Sequence, residues 1–299
     1  MTSPWIEGLR SAALNVPDLA RAEHFYTAVW HLSVAARDDD TLYLRGSGSD
    51  HHLLALHRSD RLAIRAVTLR ARSSQALQDI AAAVPAAGGQ VLHPISPSDS
   101  PAGGTRLVVR DPDGRLYEIV YGDIQHDDIH PHPDRPIRLA HAVLNCHHLP
   151  SAQQFLEQAL GFSLSDRTKA MAFMNCNRDH HSLALGDTDN DALNHIAFLM
   201  KDVDAVMRGG GRMRDAGFEI AWGPGRHGPG NNAFNYFVGP FGEVIEYTAE
   251  VEQIDTHYVV GGPADWTWPP GRVDQWGLSA PPGETLKSAQ RNVFFIPTE

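Results

Sequence analysis

Cysteine is scarce in this chain of 299 residues: Cys146 and Cys176 are the only two. Two thiols are too few for a disulfide framework, so a stapled secreted scaffold is disfavoured and a reducing compartment is expected. Basic residues are outnumbered, 25 Lys and Arg against 36 Asp and Glu, which leaves a formal charge of −11. Nucleic-acid phosphates call for a basic face, so DNA and RNA are poor partners. Long apolar runs are missing too. No stretch approaches the roughly 18 residues of a membrane span, and residues 1–9 have neither the basic start nor the apolar centre of an export signal. A cytoplasmic protein with no membrane partner is the expectation.

What is present is enough apolar material, 42% of residues, for a substantial core, in a length that suits one large or two ordinary domains. Histidine is abundant, at 17 residues. His126, His130 and His132 fall in a stretch rich in Pro and Asp, which reads as an exposed connector. Three other residues carry more. His141, His195 and Glu246 each sit on a short apolar strand-like run: Leu-Ala-His-Ala-Val-Leu, Asn-His-Ile-Ala-Phe-Leu-Met and Gly-Glu-Val-Ile-Glu-Tyr. A single His on an apolar strand is more often a satisfied core residue than a ligand. Two imidazoles and one carboxylate brought together, with open positions opposite, form the facial triad that suits non-haem Fe(II) oxygenases.

The chain repeats itself. One constant offset carries Asn15 onto Asn145, Leu19 onto Leu149, Ala22 onto Ala152, Phe25 onto Phe155 and Ser33 onto Ser163. Nearly the same offset carries Asp50-His51-His52 onto Asp179-His180-His181, and the run ending at Glu118 onto the run ending at Glu246. Such regular self-similarity implies two modules of one fold. Each module splits again. Leu9 to Asn15 reads as a strand, Leu19, Ala22, Phe25, Tyr26 and Val29 recur at helical spacing, and Thr41 to Arg45 and Leu53 to Leu56 read as strands. The next unit has a strand from Ala63 to Leu69, a helix near Gln75 to Ala87, and strands around Gly89 to Leu92, Leu107 to Arg110 and Arg115 to Val120. The predicted class is α+β, with four βαβββ units in two tandem modules. The expected organisation is a first module over 1–122, a linker over 123–136, a second module over 137–250 and a tail over 251–299.

In the first module the triad does not recur. His141 falls on Ser11 and His195 on Arg65, while Glu246 falls on Glu118. An Arg at a ligand position repels a cation, so one metal per chain is expected, in the second module.

The four-unit arrangement resembles the vicinal oxygen chelate superfamily. The resemblance sharpens in Met174-Asn-Cys-Asn-Arg-Asp-His-His-Ser-Leu-Ala-Leu185 and in the stretch from Gly225 through Phe237 to Tyr247. These are similar to the type I extradiol ring-cleaving dioxygenases, such as catechol 2,3-dioxygenase and 2,3-dihydroxybiphenyl 1,2-dioxygenase. That resemblance implies metal ligation by His141, His195 and Glu246, with Fe(II) as cofactor, Mn(II) accepted by the same ligands, O2 as co-substrate and a catechol-like ring as substrate. It further implies that His181 is the active-site acid that supplies a proton when the O–O bond breaks. Tyr236 would contact a substrate oxygen and His227 would hold that network. Members of the family are commonly homo-oligomers.

His180 is expected to face away from His181, because successive strand residues point to opposite faces. Asn231 and Asn232 follow glycine and read as turn residues. Pro229 and Gly230 stand where biphenyl-type members carry polar side chains, so that ring specificity does not transfer. Arg178 and Arg226 are candidates to meet an acidic substituent. The tail, with Trp266, Trp268 and Trp276, is a lid over the site or a strap between subunits, and Arg272, Trp276 and Arg291 are candidates for its substrate side. Two rivals keep the fold. A glyoxalase-like isomerase or hydrolase usually draws metal ligands from both halves, and a non-catalytic binding module would not need the triad.

Overall fold

The computed structural model describes residues 2–130 and 132–297. In the first module β1 (Ile6–Val16) leads into α1 (Leu19–His24), which widens into a looser helical turn over Phe25–Val29. β2 (Ser33–Arg37), β3 (Thr41–Arg45) and β4 (Leu54–Arg58) complete the first unit. The second unit is β5 (Ala63–Ala71), α2 (Ser74–Ala86), β6 (Gln90–Pro97), β7 (Thr105–Arg110) and β8 (Leu116–Tyr121).

The second module repeats this order with β9 (Arg138–Cys146), α3 (Leu149–Leu160), β10 (Ser163–Arg167), β11 (Met171–Asn175) and β12 (Leu183–Asp187). Its other unit is β13 (Ala192–Leu199), α4 (Val203–Asp215), β14 (Trp222–Arg226), β15 (Ala233–Val238) and β16 (Val244–Ala249). The helices start where side chains satisfy free backbone N–H groups: Asp18 accepts from Arg21, Ser73 from Ala76 and Asp202 from Ala205. Gly161 ends α3 with φ 69°, a left-handed turn that glycine adopts without strain.

Each module is one curved sheet. The strand order is β2-β3-β4-β1-β5-β8-β7-β6 in the first and β10-β11-β12-β9-β13-β16-β15-β14 in the second. The two units of a module therefore meet along the antiparallel β1–β5 or β9–β13 pair. Strand alternation then sorts the side chains. On β9, Ala142 and Leu144 enter the hydrophobic core, while His141 and Val143 face the hollow of the sheet.

The modules interlock. Trp30, just past the first helix, stacks on Tyr247 of β16 at 3.6 Å and 7° between ring planes, and Tyr247 Oη donates to the Trp30 carbonyl at 2.9 Å. Tyr26 Oη donates to Glu243 Oε1 at 2.8 Å. Arg115, fully buried, pairs with Asp111 and Asp113 of its own module and reaches Asp191 of the other at 2.6 Å.

Two expectations about segments outside the sheets need revision. In the connector, His130 and His132 are exposed, but Asp123 is buried between Arg10 and Arg70, and His126 stacks on His51 at 5.4 Å. The tail forms α5 (Glu284–Ala289) and β17 (Val293–Phe294), which pairs with β13, and Phe295 then bridges to Ile64 of β5. Among the described residues no helix is long and apolar enough to cross a membrane.

Candidate metal centre and active site

β9, β13 and β16 are neighbours in the second sheet, and they bring His141, His195 and Glu246 to one point. One ligand atom from each lies within 4.8 Å of the others, and all three residues are buried. His141 Nε2 is 3.1 Å and His195 Nε2 3.2 Å from the same oxygen, Glu246 Oε2. Burial alone raises the Glu246 carboxyl, but His141 and His195 reverse this and hold it well below the usual carboxylate range.

The donor chemistry fits a divalent cation. His195 Nδ1 lies 2.8 Å from Asn194 Oδ1; that amide oxygen can only accept, which fixes the ring proton on Nδ1 and leaves a lone pair on Nε2. Burial lowers the His195 imidazole, which also favours the neutral ligand form, against the pull of Glu246. His141 is steadied by ring contact instead, its centroid 4.4 Å from that of His181, while its Nδ1 has no hydrogen-bond partner. Asn232 Nδ2 donates to Thr248 Oγ1 at 2.7 Å and lies 3.5 Å from Glu246 Oε1, bracing the carboxylate from behind.

The remaining expected residues surround this point. His181, Tyr236 and His227 line the same cavity of about 350 Å³. Tyr236 Oη is 3.0 Å from His227 Nε2 and 3.4 Å from His195 Nε2. Burial, with Glu246 nearby, raises the Tyr236 phenol well above its usual value, so it keeps its proton. Burial lowers His227 to about 4 and pushes His181 well below the ordinary imidazole value, with His141 adding to the shift at His181. The cavity wall is mainly apolar, with Met171, Phe173, Trp222, Trp268 and Val273, and among the described residues no Lys or Arg lines it.

Several readings of single residues are corrected by the geometry. His180 does not face away: it is fully buried, its Nδ1 is 3.0 Å from His181 Nδ1, and its Nε2 is 2.8 Å from Asp166 Oδ2. The two histidines precede β12 and lie in a turn, where strand alternation does not apply. Asn231 does shape a turn, at φ 48°, but Asn232 belongs to the site. Gly230 has φ 78°, and a Cβ there would stand 2.8 Å from His181 Cε1, so the loop at Pro229 and Gly230 presses its backbone onto that ring.

Arg178, Arg226, Arg272, Trp276 and Arg291 are all absent from the cavity lining. Arg226 is paired with Glu250 and lies over the Trp276 ring, Arg272 bonds backbone carbonyls of its own loop, and Arg291 pairs with Asp189. The tail residues that do line the cavity are Trp268, Val273, Pro282 and Gln290.

Residues 8–119 and 138–247 both match the Glyoxalase/Bleomycin resistance protein/Dioxygenase superfamily. The chain belongs to that superfamily. Among superfamily relatives, Metapyrocatechase 2 of Cupriavidus necator is 36% identical over 155 residues, which is 49% of this chain and 46% of that protein. The chain thus spans less than half of that relative's length. A manganese-dependent 2,3-dihydroxybiphenyl 1,2-dioxygenase of Geobacillus genomosp. 3 is 23% identical over 252 residues, covering 76% of this chain and 80% of the relative. A crystal structure of the Mn(II)-bound glyoxalase from Novosphingobium aromaticivorans superposes with a TM-score of 0.85 at 34% identity, covering 94% of each chain. The four-unit superfamily fold expected from the duplication is the fold observed.

Proposed function

We propose that this protein is a metal-dependent extradiol dioxygenase that opens a catechol-like ring beside its two hydroxyls and places both atoms of O2 in the product. The observation that carries the reading is the convergence of two imidazole nitrogens and one carboxylate oxygen at a cavity also lined by His181, Tyr236 and His227. The curated relatives that act on catechol-type rings support it.

His141, His195 and Glu246 would hold the metal. When bound, a divalent ion such as Fe(II) or Mn(II) supplies positive charge that favours ionised ring hydroxyls and open positions where substrate and O2 meet. The protein does the rest. His181, kept neutral by burial, takes a proton released from a substrate hydroxyl and returns it as the O–O bond breaks. Tyr236, kept protonated, donates a hydrogen bond to a substrate oxygen, and His227 holds the phenol in place. Phe173, Trp222 and Trp268 pack the ring face and exclude water. Ring, O2 and product balance without an outside reductant.

A second reading is glyoxalase-type chemistry, favoured by the Mn(II)-bound glyoxalase that covers 94% of this chain. Oxygen consumption separates the two. Protein reconstituted with Fe(II), and separately with Mn(II), is expected to consume O2 with catechol and form a yellow ring-opened product, and His195→Ala is expected to abolish both signals. Turnover of a thiol adduct of a 2-oxoaldehyde, without O2 uptake on any catechol, would replace the dioxygenase reading with the isomerase one.

A further inference from the structure

The first module keeps a hollow where the second keeps its candidate site. Its volume is about 580 Å³, against about 350 Å³ for the other. Ser11, His52, Arg65 and Glu118 line it, at the positions that match His141, His181, His195 and Glu246. Protein interiors are close-packed, and an unfilled hollow forfeits contacts on every wall. A module without the two histidine ligands could have closed this space with large apolar side chains. Instead, a guanidinium stands in it.

The hollow is lined by two cations, Arg65 and Arg106, and two carboxylates, Asp99 and Glu118, but they are not all paired. Arg65 Nη1 donates to Asn15 Oδ1 at 3.0 Å, a neutral acceptor, and Arg65 makes no ion pair with any described carboxylate. Burial raises the Glu118 carboxyl, and the facing Arg106 and Arg10 only partly offset this. Arg106 reaches the exposed Asp99 at 2.8 Å through Nη2, while its Nε is buried without a hydrogen-bond partner. One cation without a counter-ion therefore borders a space that offers apolar surface at Leu92, Val108 and Leu116 beside polar groups that include Tyr43, His57 and Thr68. Ile296 and Pro297 complete the wall, held there by the hydrogen bond from Ile296 N–H to the Ile64 carbonyl at 2.9 Å.

We propose that the first-module cavity is a second binding site, for a small organic carboxylate with an apolar body, with Arg65 taking the carboxylate and Arg106 adding positive charge to the same wall. Planar guanidinium donors match carboxylate oxygens in geometry as well as charge. The apolar walls give the body of the ligand its contact area. The site is independent of whatever the second module catalyses.

Calorimetric titration of the metal-reconstituted protein with benzoate and with hexanoate tests this, with benzamide as the neutral control. At least one carboxylate is expected to bind with Kd on the order of 1 mM or tighter, and benzamide at least about tenfold more weakly than benzoate. Arg65→Gln is expected to weaken the carboxylate by about tenfold or more with turnover unchanged, and Arg106→Gln to weaken it less. His195→Ala is expected to leave it unaltered. Each variant is checked by its thermal melt. Failure of both carboxylates to bind, undiminished binding in Arg65→Gln, or binding that disappears with His195→Ala would overturn the assignment, leaving a cavity filled by water or ligand held in the other module.

Discussion

His180 Nε2 lies 2.8 Å from Asp166 Oδ2, and neither side chain reaches solvent. Asp166 also accepts from Tyr258 Oη at 2.9 Å and from the Gly261 N–H at 2.6 Å, so its position is fixed by the tail. The first module has the same pair of rings, His51 and His52, with Nδ1 atoms again 3.0 Å apart, but Ala36 stands where Asp166 would be. A carboxylate that accepts from His180 Nε2–H leaves His180 Nδ1 to accept from His181 Nδ1–H. His181 is then held through one nitrogen with the other free for proton transfer. Asp166→Asn is expected to lower kcat by about tenfold or more with little change in KM. Steady-state kinetics beside His181→Ala measure it, and an unchanged kcat sinks the idea.

Metal should stabilise the fold. A ligand present at 100 times its Kd adds about 2.7 kcal/mol to unfolding. Thermal melts with Mn(II) are expected to lie above melts with a chelator, and the difference is expected to vanish in Glu246→Gln, which removes one of the three converging ligand groups.

The absence of Lys and Arg, among the described residues, from the cavity of the candidate site, and the presence of Asp187, set a preference for substrate charge. Catechols with alkyl or aryl substituents are expected to show kcat/KM at least about tenfold above catechols bearing a carboxylate, for which the wall offers no counter-ion. A carboxylated ring that outperforms its alkyl analogue would contradict this.

Glu243 gives the stability a pH dependence. Its burial raises the carboxyl to about 7, with Tyr26 Oη as a hydrogen-bond donor at 2.8 Å. Between roughly pH 4.3, where an unfolded Glu titrates, and about 7, the folded state holds a proton that the unfolded state has lost. Stability from this group is therefore full below the unfolded value and declines as pH rises through that window, by about 4 kcal/mol in total. Urea denaturation at pH 5 and pH 8 checks the sign, and Glu243→Gln is expected to flatten the slope.

Arg115 is buried among Asp111, Asp113 and Asp191 and links the modules. Arg115→Ala strands these carboxylates and is expected to cost about 3–5 kcal/mol, measured by chemical denaturation.

The sequence made some of these parts legible and hid others for physical reasons. His141, His195 and Glu246 stood out because β9, β13 and β16 are mainly apolar strands, and polar residues on such strands break a visible pattern. Asn194 escaped notice because alternation would send it to the face opposite His195. A register irregularity between Leu193 and His195 lets the two side chains meet. Asn232 and His180 lie in turns, where neighbours in sequence follow no fixed face, and nothing in the sequence ties Asp166 to His180. The tail arginines were misread for a related reason. An irregular segment has no period from which to infer what faces inward, and the residues that line the cavity are Trp268, Val273, Pro282 and Gln290.

Gln290 belongs to the wall of one cavity, and Ile296 and Pro297 belong to the wall of the other. Between them, Val293 and Phe294 are pinned to β13 and Phe295 to Ile64 of β5. A single short ribbon thus serves as a party wall between two rooms. A slip of that ribbon by one residue would reshape both rooms at once.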